Sequence, residues 1–360
     1  MEVRIEKREL EKSLSKIKGV SGRQSNIAPI LEHALFLAKD SLELVATDLE
    51  VGVKINCSAE VVEQGRTALL TRKVHEIVKG LEDGEVRIKS KEDNKVSIRS
   101  GSSKFTVFSA DPEEYPSVSF WEGTELMPVD SAMLKSMIKK TIFAVAKMAM
   151  NSSLMGVLFE SDGQNIRMVA TDGHRLAKIE KPFEADIPDG TILPRKGLNE
   201  LLRLLDDKDK VLIGFKGNNM VAQVGDSSIT IRMLEGTFPD YKKIIPEDYS
   251  NEIIINKKGF MGALKRMALI SQFVKFDIST DKMILSAVNT EYGEGTEVVP
   301  MNYNGASITI RLNQDYLMDV LNVIDSDDVR FSLKDGASPA VLEPLDGENL
   351  VNIVMPVRLE

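Results

Sequence analysis

Val45-Ala46-Thr47-Asp48 returns as Val169-Ala170-Thr171-Asp172, 124 positions further on. The apolar residues Val74, Ile77, Val78 and Leu81, spaced as one face of a helix, return at the same offset as Leu198, Leu201, Leu202 and Leu205. A strand tetrapeptide and a helical stripe share one offset only if the whole segment was duplicated. A third stripe, Leu317, Val320, Leu321 and Ile324, marks a third copy, with Leu285-Ser286-Ala287-Val288 expected as its strand tetrapeptide. The 360 residues therefore read as three related domains of about 120 residues each, 1–120, 121–246 and 247–360.

Each copy opens with a short strand and an amphipathic helix. The helix faces are Leu10, Leu14 and Ile17, then Leu134, Met137, Ile138 and Val145, then Phe260, Leu264 and Met267. Alternating strands such as Leu42 to Ile55 and Ile166 to Ile179 follow, then the second helix and more strands, punctuated by Asp-Gly turns at Gly84, Gly163, Gly190, Gly336 and Gly347. Two helices over many antiparallel strands make an α+β unit, with the helices on one face of the sheet.

The single cysteine, Cys57, rules out an intrachain disulfide framework and fits a reducing cytoplasm. No apolar run is long enough to span a bilayer, and the N-terminal MEVRIEKREL alternates instead of forming a signal-peptide core. A soluble cytoplasmic protein is expected. The net charge of −9 argues at first against nucleic acid, but its distribution reverses the argument. Residues 7–18 carry five Lys/Arg against two Glu, 131–147 four Lys and no acid, and 257–267 four Lys/Arg and no acid. Adding the milder second helices, the six segments hold +10 and the remainder −19. Such helices attract phosphates while the rest of the surface repels them. The first helices lack Tyr and Trp, so the expected contact is backbone-directed, salt-sensitive and indifferent to base sequence.

The copies differ where function is expected. After the shared tetrapeptide the second copy continues Gly173-His174-Arg175-Leu176, and the first continues Leu49-Glu50. Gly173 can adopt positive φ and turn the chain tightly, leaving His174 and Arg175 on a rim beside Leu176. A hydrolase using Asp172 and His174 is the enzymatic alternative. His33, His75 and His174 are too scattered for metal ligation, Cys57 has no neighbouring histidine, and no phosphate loop or nucleophile elbow is present. We expect no catalytic residue, metal or cofactor. Asp111 to Pro116 and Leu234 to Pro246 read as extended crossings between domains, and the end Val354-Met355-Pro356-Val357-Arg358 suits either a last strand or an adaptable peptide groove.

The runs ATDGHRLA at 170–177, EGTFPDYKKIIP at 235–246 and MPVRL at 355–359, set on three repeats, resemble the bacterial replicative sliding clamps, the β subunit of DNA polymerase III. The resemblance covers the whole chain. It implies a DNA-clamp architecture: a head-to-tail homodimeric ring of six similar domains that encircles duplex DNA and tethers the replicative polymerase. It also implies a groove for short extended peptides with Leu or Phe anchors from the polymerase III catalytic subunit, the clamp loader and other replication and repair proteins. The matching groove positions are Leu154, Thr171, Gly173, His174, Arg175, Leu176, Pro239, Lys243 and Ile244, with Asn313, Tyr316, Pro339, Ile353, Val354, Met355, Pro356, Val357 and Arg358. The implied ring contact joins Phe105 and Val107 of one subunit to Leu269 and Ile270 of the other. DNA-facing candidates are Lys12, Lys16, Arg23, Arg72, Lys73, Lys139, Lys140, Lys147, Arg195, Lys196, Arg203, Lys265 and Arg266. Lys243 stands where the family often has Arg, Lys147 to Ser153 lacks aromatics that some members carry, and Glu360 extends past the usual terminal Leu. The alternative is a peptide-binding scaffold of the same fold that does not encircle DNA.

Overall fold

The computed structural model describes residues 1–21, 28–120, 123–205, 210–246, 248 and 250–357. The first copy runs β1 (Glu2–Glu6), α1 (Lys7–Ser21), β2 (His33–Ala38), β3 (Leu42–Thr47), β4 (Val51–Cys57), β5 (Glu60–Glu63), β6 (Gly65–Leu70), α2 (Thr71–Lys79), β7 (Glu85–Ser90), β8 (Lys95–Ser100) and β9 (Ser103–Ala110). The second runs β10 (Met127–Asp130), α3 (Ser131–Lys139), β11 (Gly156–Ser161), β12 (Asn165–Thr171), β13 (Arg175–Pro182), β14 (Ile192–Pro194), α4 (Arg195–Leu204), β15 (Lys210–Lys216), β16 (Asn219–Val224) and β17 (Ser227–Arg232). The third runs β18 (Asn251–Asn256), α5 (Lys257–Met267), β19 (Phe273–Ser279), β20 (Lys282–Asn289), β21 (Gly293–Pro300), β22 (Ile308–Asn313), α6 (Gln314–Val323), β23 (Asp328–Leu333), β24 (Ala340–Pro344) and β25 (Leu350–Val354).

Pairing repeats with the elements. The opening strand of each copy lies antiparallel to the strand after the second helix, as β1–β7, β10–β15 and β18–β23. Its three following strands form a meander, and the strand before the second helix returns to the first of the three, as β2–β6, β11–β14 and β19–β22. The predicted stripes lie inside: Leu10, Leu14 and Ile17 of α1, Leu198 and Leu201 of α4 and Leu317 and Val320 of α6 are all inaccessible to solvent. Burial of each such side chain is worth roughly 1.5–3 kcal/mol, which holds these short helices on their sheets.

Contacts gather the chain into two compact units that cut across the second copy. One comprises 1–135 and 196–233; the other comprises 136–195 and 234–360. The first holds a thirteen-stranded sheet in which β4 of copy one pairs with β17 of copy two. The second holds an eight-stranded sheet, in which β13 of copy two pairs with β25 of copy three, and the four-stranded sheet β21-β20-β19-β22.

Three sequence expectations are corrected. The third tetrapeptide lies on the expected strand but one residue on. Counted from the second helix, Phe36, Phe159 and Phe276 are equivalent and face Leu44, Met168 and Leu285. The counterparts of Val45 to Asp48 are therefore Ser286-Ala287-Val288-Asn289. A one-residue slip moves a strand residue to the other face, so Leu285 belongs to the core face and Val45 to the outer one. Helix α3 stops at Lys139 instead of continuing to Lys147, and one isolated turn follows at Ile142–Ala144. Thr141 bonds its hydroxyl back to the Met137 carbonyl at 2.9 Å, a local competition that, with β-branched Ile142 next, ends the helix.

The tight turn after the tetrapeptide is not confined to copy two. Leu49 adopts φ 75° where Gly173 adopts 87°. In both turns the threonine hydroxyl accepts the third residue's N–H and the aspartate accepts the next two, so Thr-Asp sets the turn whatever follows. Leu49 is 53% exposed, and its left-handed backbone carries a steric cost of about 1–2 kcal/mol. Leu49→Gly should therefore stabilise the protein by about 0.5–1 kcal/mol after glycine's larger entropy loss, read as a higher urea midpoint. A lower midpoint would show that the Leu49 side chain contributes more than its backbone costs.

Candidate functional site

Leu176 and Ile353 sit opposite each other where β13 pairs with β25, and both are buried. Around them pack Leu158, Val169, Ile192, Tyr241 and Val341, flanked by the half-buried Leu234, Phe238, Ile244 and Ile245 of the segment after β17. The first copy has a counterpart in which Val45, Ala68, Tyr115 and Phe120 pack with Leu35, Leu37 and Val118, but it is built differently at its centre. The residue matching Leu176 is Gly52, since Thr47 faces Gly52 as Thr171 faces Leu176. A Cβ at Gly52 would lie 2.5 Å from Val118 Cγ1, so the first copy closes that face with its own crossing.

The rim is built by the turn between β12 and β13, by α6 and by the segment after β25. His174 and Tyr316 stack 6.5 Å apart at an interplanar angle of 19°. The Met355 N–H donates to the His174 carbonyl at 2.8 Å, and the Val357 N–H to the Arg311 carbonyl at 2.8 Å. Met355 and His174 are exposed, Pro356, Val357 and Tyr316 half-buried. Burial holds the Tyr316 phenol above its usual pKa, with Asp172 adding to the shift.

Other positions matched by resemblance have different tasks. Thr171 and Gly173 build the turn, Asn313 caps α6 by accepting the Asp315 N–H at 2.9 Å, and Val354 is fully buried, opposite Arg175 in the β13–β25 pair. Lys243 is exposed and paired with Asp240 at 3.0 Å. Leu154, Pro239 and Pro339 are half-buried, and Arg358 lies outside the described residues. Phe143, Asp172 and Asp319, which hold Arg175, were absent from the expected set because only the folded chain brings them together.

Of the expected DNA-facing cations, Lys12, Lys16 and Arg203 border one cleft with Arg8. Lys16 donates to Ser227 Oγ at 3.0 Å, and burial, reinforced by Lys12, lowers its pKa. Arg72 and Lys73 share Glu76, Arg203 pairs with Glu200 and Arg266 with Glu297, in partly exposed ion pairs that leave the cations accessible. Lys196 pairs with Asp48. Lys139, Lys147 and Lys265 are exposed, Arg195 is half-exposed and Arg23 lies outside the described residues. Lys140 is corrected: its side chain is 8% exposed and donates to Asp325 at 2.7 Å and to Glu348. Burial opposes its charge, but the two carboxylates outweigh it and raise the pKa, so this lysine braces the interior and cannot face a phosphate.

β9 and β21 are among the strands that keep a free edge. β21 ends its sheet, and β9 meets β6 only through Ser109 and Ala110, leaving Ser103 to Phe108 with one unpaired side among the described residues. Apolar residues crowd both places: Phe105 is 41% exposed, Phe108 is more so, and Leu269, beyond α5, stands out among the exposed apolar side chains.

Three copies of one unit, with strand pairing carried from copy one to copy two and from copy two to copy three, define the clamp class. The chain belongs to the family of the DNA polymerase III β subunit, the beta sliding clamps. Its family models match the N-terminal domain at 1–119, the central domain at 128–240 and the C-terminal domain at 242–358. The beta sliding clamps of Vibrio cholerae and Escherichia coli K12 are each 32% identical to it, over all of both chains. The structure of a Pseudomonas aeruginosa DNA polymerase sliding clamp superposes with a TM-score of 0.92 at 32% identity, covering both chains fully. That of the Thermotoga maritima DNA polymerase III β subunit does so at 0.93 and 30%, again over all of both chains. Sliding clamps are processivity factors and catalyse no reaction of their own. Among the described residues no helix is long and apolar enough to cross a membrane.

Proposed function

We propose that two copies of this chain close head to tail into a ring around duplex DNA, in the cytoplasm, and tether the replicative polymerase for processive synthesis. The observation that carries this reading is the repeated strand pairing between copies. Val53 of β4 faces Ile229 of β17, and Ala177 of β13 faces Asn352 of β25. Gly295 of β21 faces Ala287 as Val53 faces Ala46 and Ala177 faces Ala170, and Phe105 of β9 is the counterpart of Ile229 and Asn352, so the same register, continued into a second molecule, sets Phe105 against Gly295 and Val107 against Gly293. A Cβ at Gly295 would lie 3.2 Å from Ile270, so the missing side chain leaves Ile270 open to Phe105 of the incoming strand. A heterologous contact of this kind closes when its rotation fits, and two chains of three copies supply six equivalent positions.

Lys12, Lys16 and Arg203 are the cations best placed to meet phosphates, without reading bases. Enclosure would provide retention, leaving the contacts weak enough for sliding. The floor around Leu176 and Ile353, with its His174, Tyr316 and Met355 rim, would take Leu- or Phe-anchored peptides from the polymerase III catalytic subunit, the clamp loader and repair proteins. The three copies, 1–120, 121–246 and 247–360, would be the domains of the ring.

Retention on DNA tests the enclosure. After loading onto a nicked circular plasmid the protein should stay bound through 0.5 M-scale salt, roughly the range in which phosphate contacts fail, and should leave once the circle is cut. Equal loss from circle and line would overturn enclosure, and a strictly monomeric mass at micromolar concentration would favour the scaffold.

A further inference from the structure

We propose that Asp319 is a positioning residue of the peptide site and acts through Arg175; the proposal rests on the reading of that site given above. Arg175 is buried, and each of its three guanidinium nitrogens donates a hydrogen bond. Nη1 donates to Asp319 Oδ2 at 2.6 Å, Nη2 to the Phe143 carbonyl at 2.8 Å and Nε to Asp172 Oδ2 at 3.0 Å. Its central carbon lies 4.5 Å from the centre of the Tyr316 ring and 5.4 Å from that of Phe143. A cation so enclosed has little left for a ligand and works as a strut.

The strut joins three segments: the turn after α3, the β12–β13 turn and α6. Asp319 and Tyr316 are three residues apart on α6 and so share a face of that helix. The bond that holds Asp319 therefore fixes the height of Tyr316 beside His174. The His174 carbonyl in turn receives the Met355 N–H, so all three rim side chains take their places from one guanidinium. Asp319 itself is 46% exposed at the side chain, so its removal opens no core cavity.

The test uses the full-length protein and a fluorescein-labelled, uncharged peptide with one Leu and one Phe anchor, read by anisotropy. Asp319→Ala should weaken binding about five- to tenfold, the scale of a partly exposed charge-assisted bond, and Asp319→Glu should recover most of it. The urea midpoint and retention on nicked circles should stay at wild-type values in both. Wild-type affinity in Asp319→Ala, or a loss that Asp319→Glu leaves unrepaired, overturns the proposal. A fall in affinity matched by a fall in the urea midpoint assigns Asp319 to stability alone and also overturns it. If the wild-type protein does not bind the peptide, the peptide-site reading fails, and this inference falls with it.

Discussion

Serine at both Phe105 and Val107 should leave a folded monomer that slips from nicked circular DNA as quickly as from linear DNA. Each apolar side chain withdrawn from a buried contact forfeits about 2 kcal/mol, and a head-to-tail dimer contains the contact twice. The dissociation constant of the dimer should therefore rise by about 10⁴-fold or more, which light scattering at micromolar protein resolves. The exposed position of Phe105 in the single chain means that the substitution costs the monomer little. A variant that remains dimeric would place the ring contact elsewhere. The register has its own readout: Thr106 and Glu294 face each other when the pairing is continued, and opposed residues of antiparallel strands lie within disulfide reach. Cysteines at these two positions should cross-link between subunits under oxidation, because the native Cys57 is buried and its thiol pKa is pushed up to about 11 by burial. A dimer without cross-links would keep the ring and discard the register.

Leu176→Ala should be the most damaging single change in the peptide site, and for two reasons at once. Leu176 is only 1% exposed and packs among Leu158, Val169, Ile192, Tyr241, Val341 and Ile353. Truncation there should cost about 2–5 kcal/mol of stability, because transfer free energy is lost and a cavity remains. It should also remove the floor on which a Leu or Phe anchor rests. Met355→Ala separates the two effects: Met355 sits on the rim, 37% exposed, so peptide affinity should drop while the urea midpoint moves by less than about 1 kcal/mol equivalent. If both variants bind peptide as the wild type does, the site is misplaced. If Leu176→Ala leaves the urea midpoint unchanged, the cluster packs more loosely than its burial implies.

Much of this was legible before folding because it depends on short-range periodicity. The stripes in α1, α4 and α6 lie on the core faces that their spacing specifies, since a helix turns its apolar residues to one side by geometry alone. A difference between copies, Gly173 to Leu176 against Leu49-Glu50, points to the proposed peptide site. The reason for that difference lay further off: Gly52 is closed over by Val118, a residue from the distant crossing, and no local pattern contains that contact. The end of α3 was misjudged because an apolar and basic run continues past Lys139, and only the side-chain bond of Thr141 shows that the backbone has turned away.

The duplication, the α+β class of the unit and the segregation of positive charge onto helices follow from the chain alone, which also points to the stretch of the second copy proposed to meet partners. These are matters of spacing and composition, carried by neighbours a few residues apart. Tertiary structure decided which cations stay free and which are consumed: Lys140, read as facing phosphate, is enclosed by carboxylates from Asp325 and Glu348, and Arg175, read as a peptide contact, is gripped by Asp172, Asp319 and the Phe143 carbonyl. It also set the strand register of the third copy and left the edges of β9 and β21 open. A charge carries no record in the chain of its eventual counter-ion, and an edge none of its eventual neighbour. Asp325 and Glu348 lie 185 and 208 positions from Lys140, and Asp319 lies 144 from Arg175, brought in by a geometry that exists only once the sheets have formed.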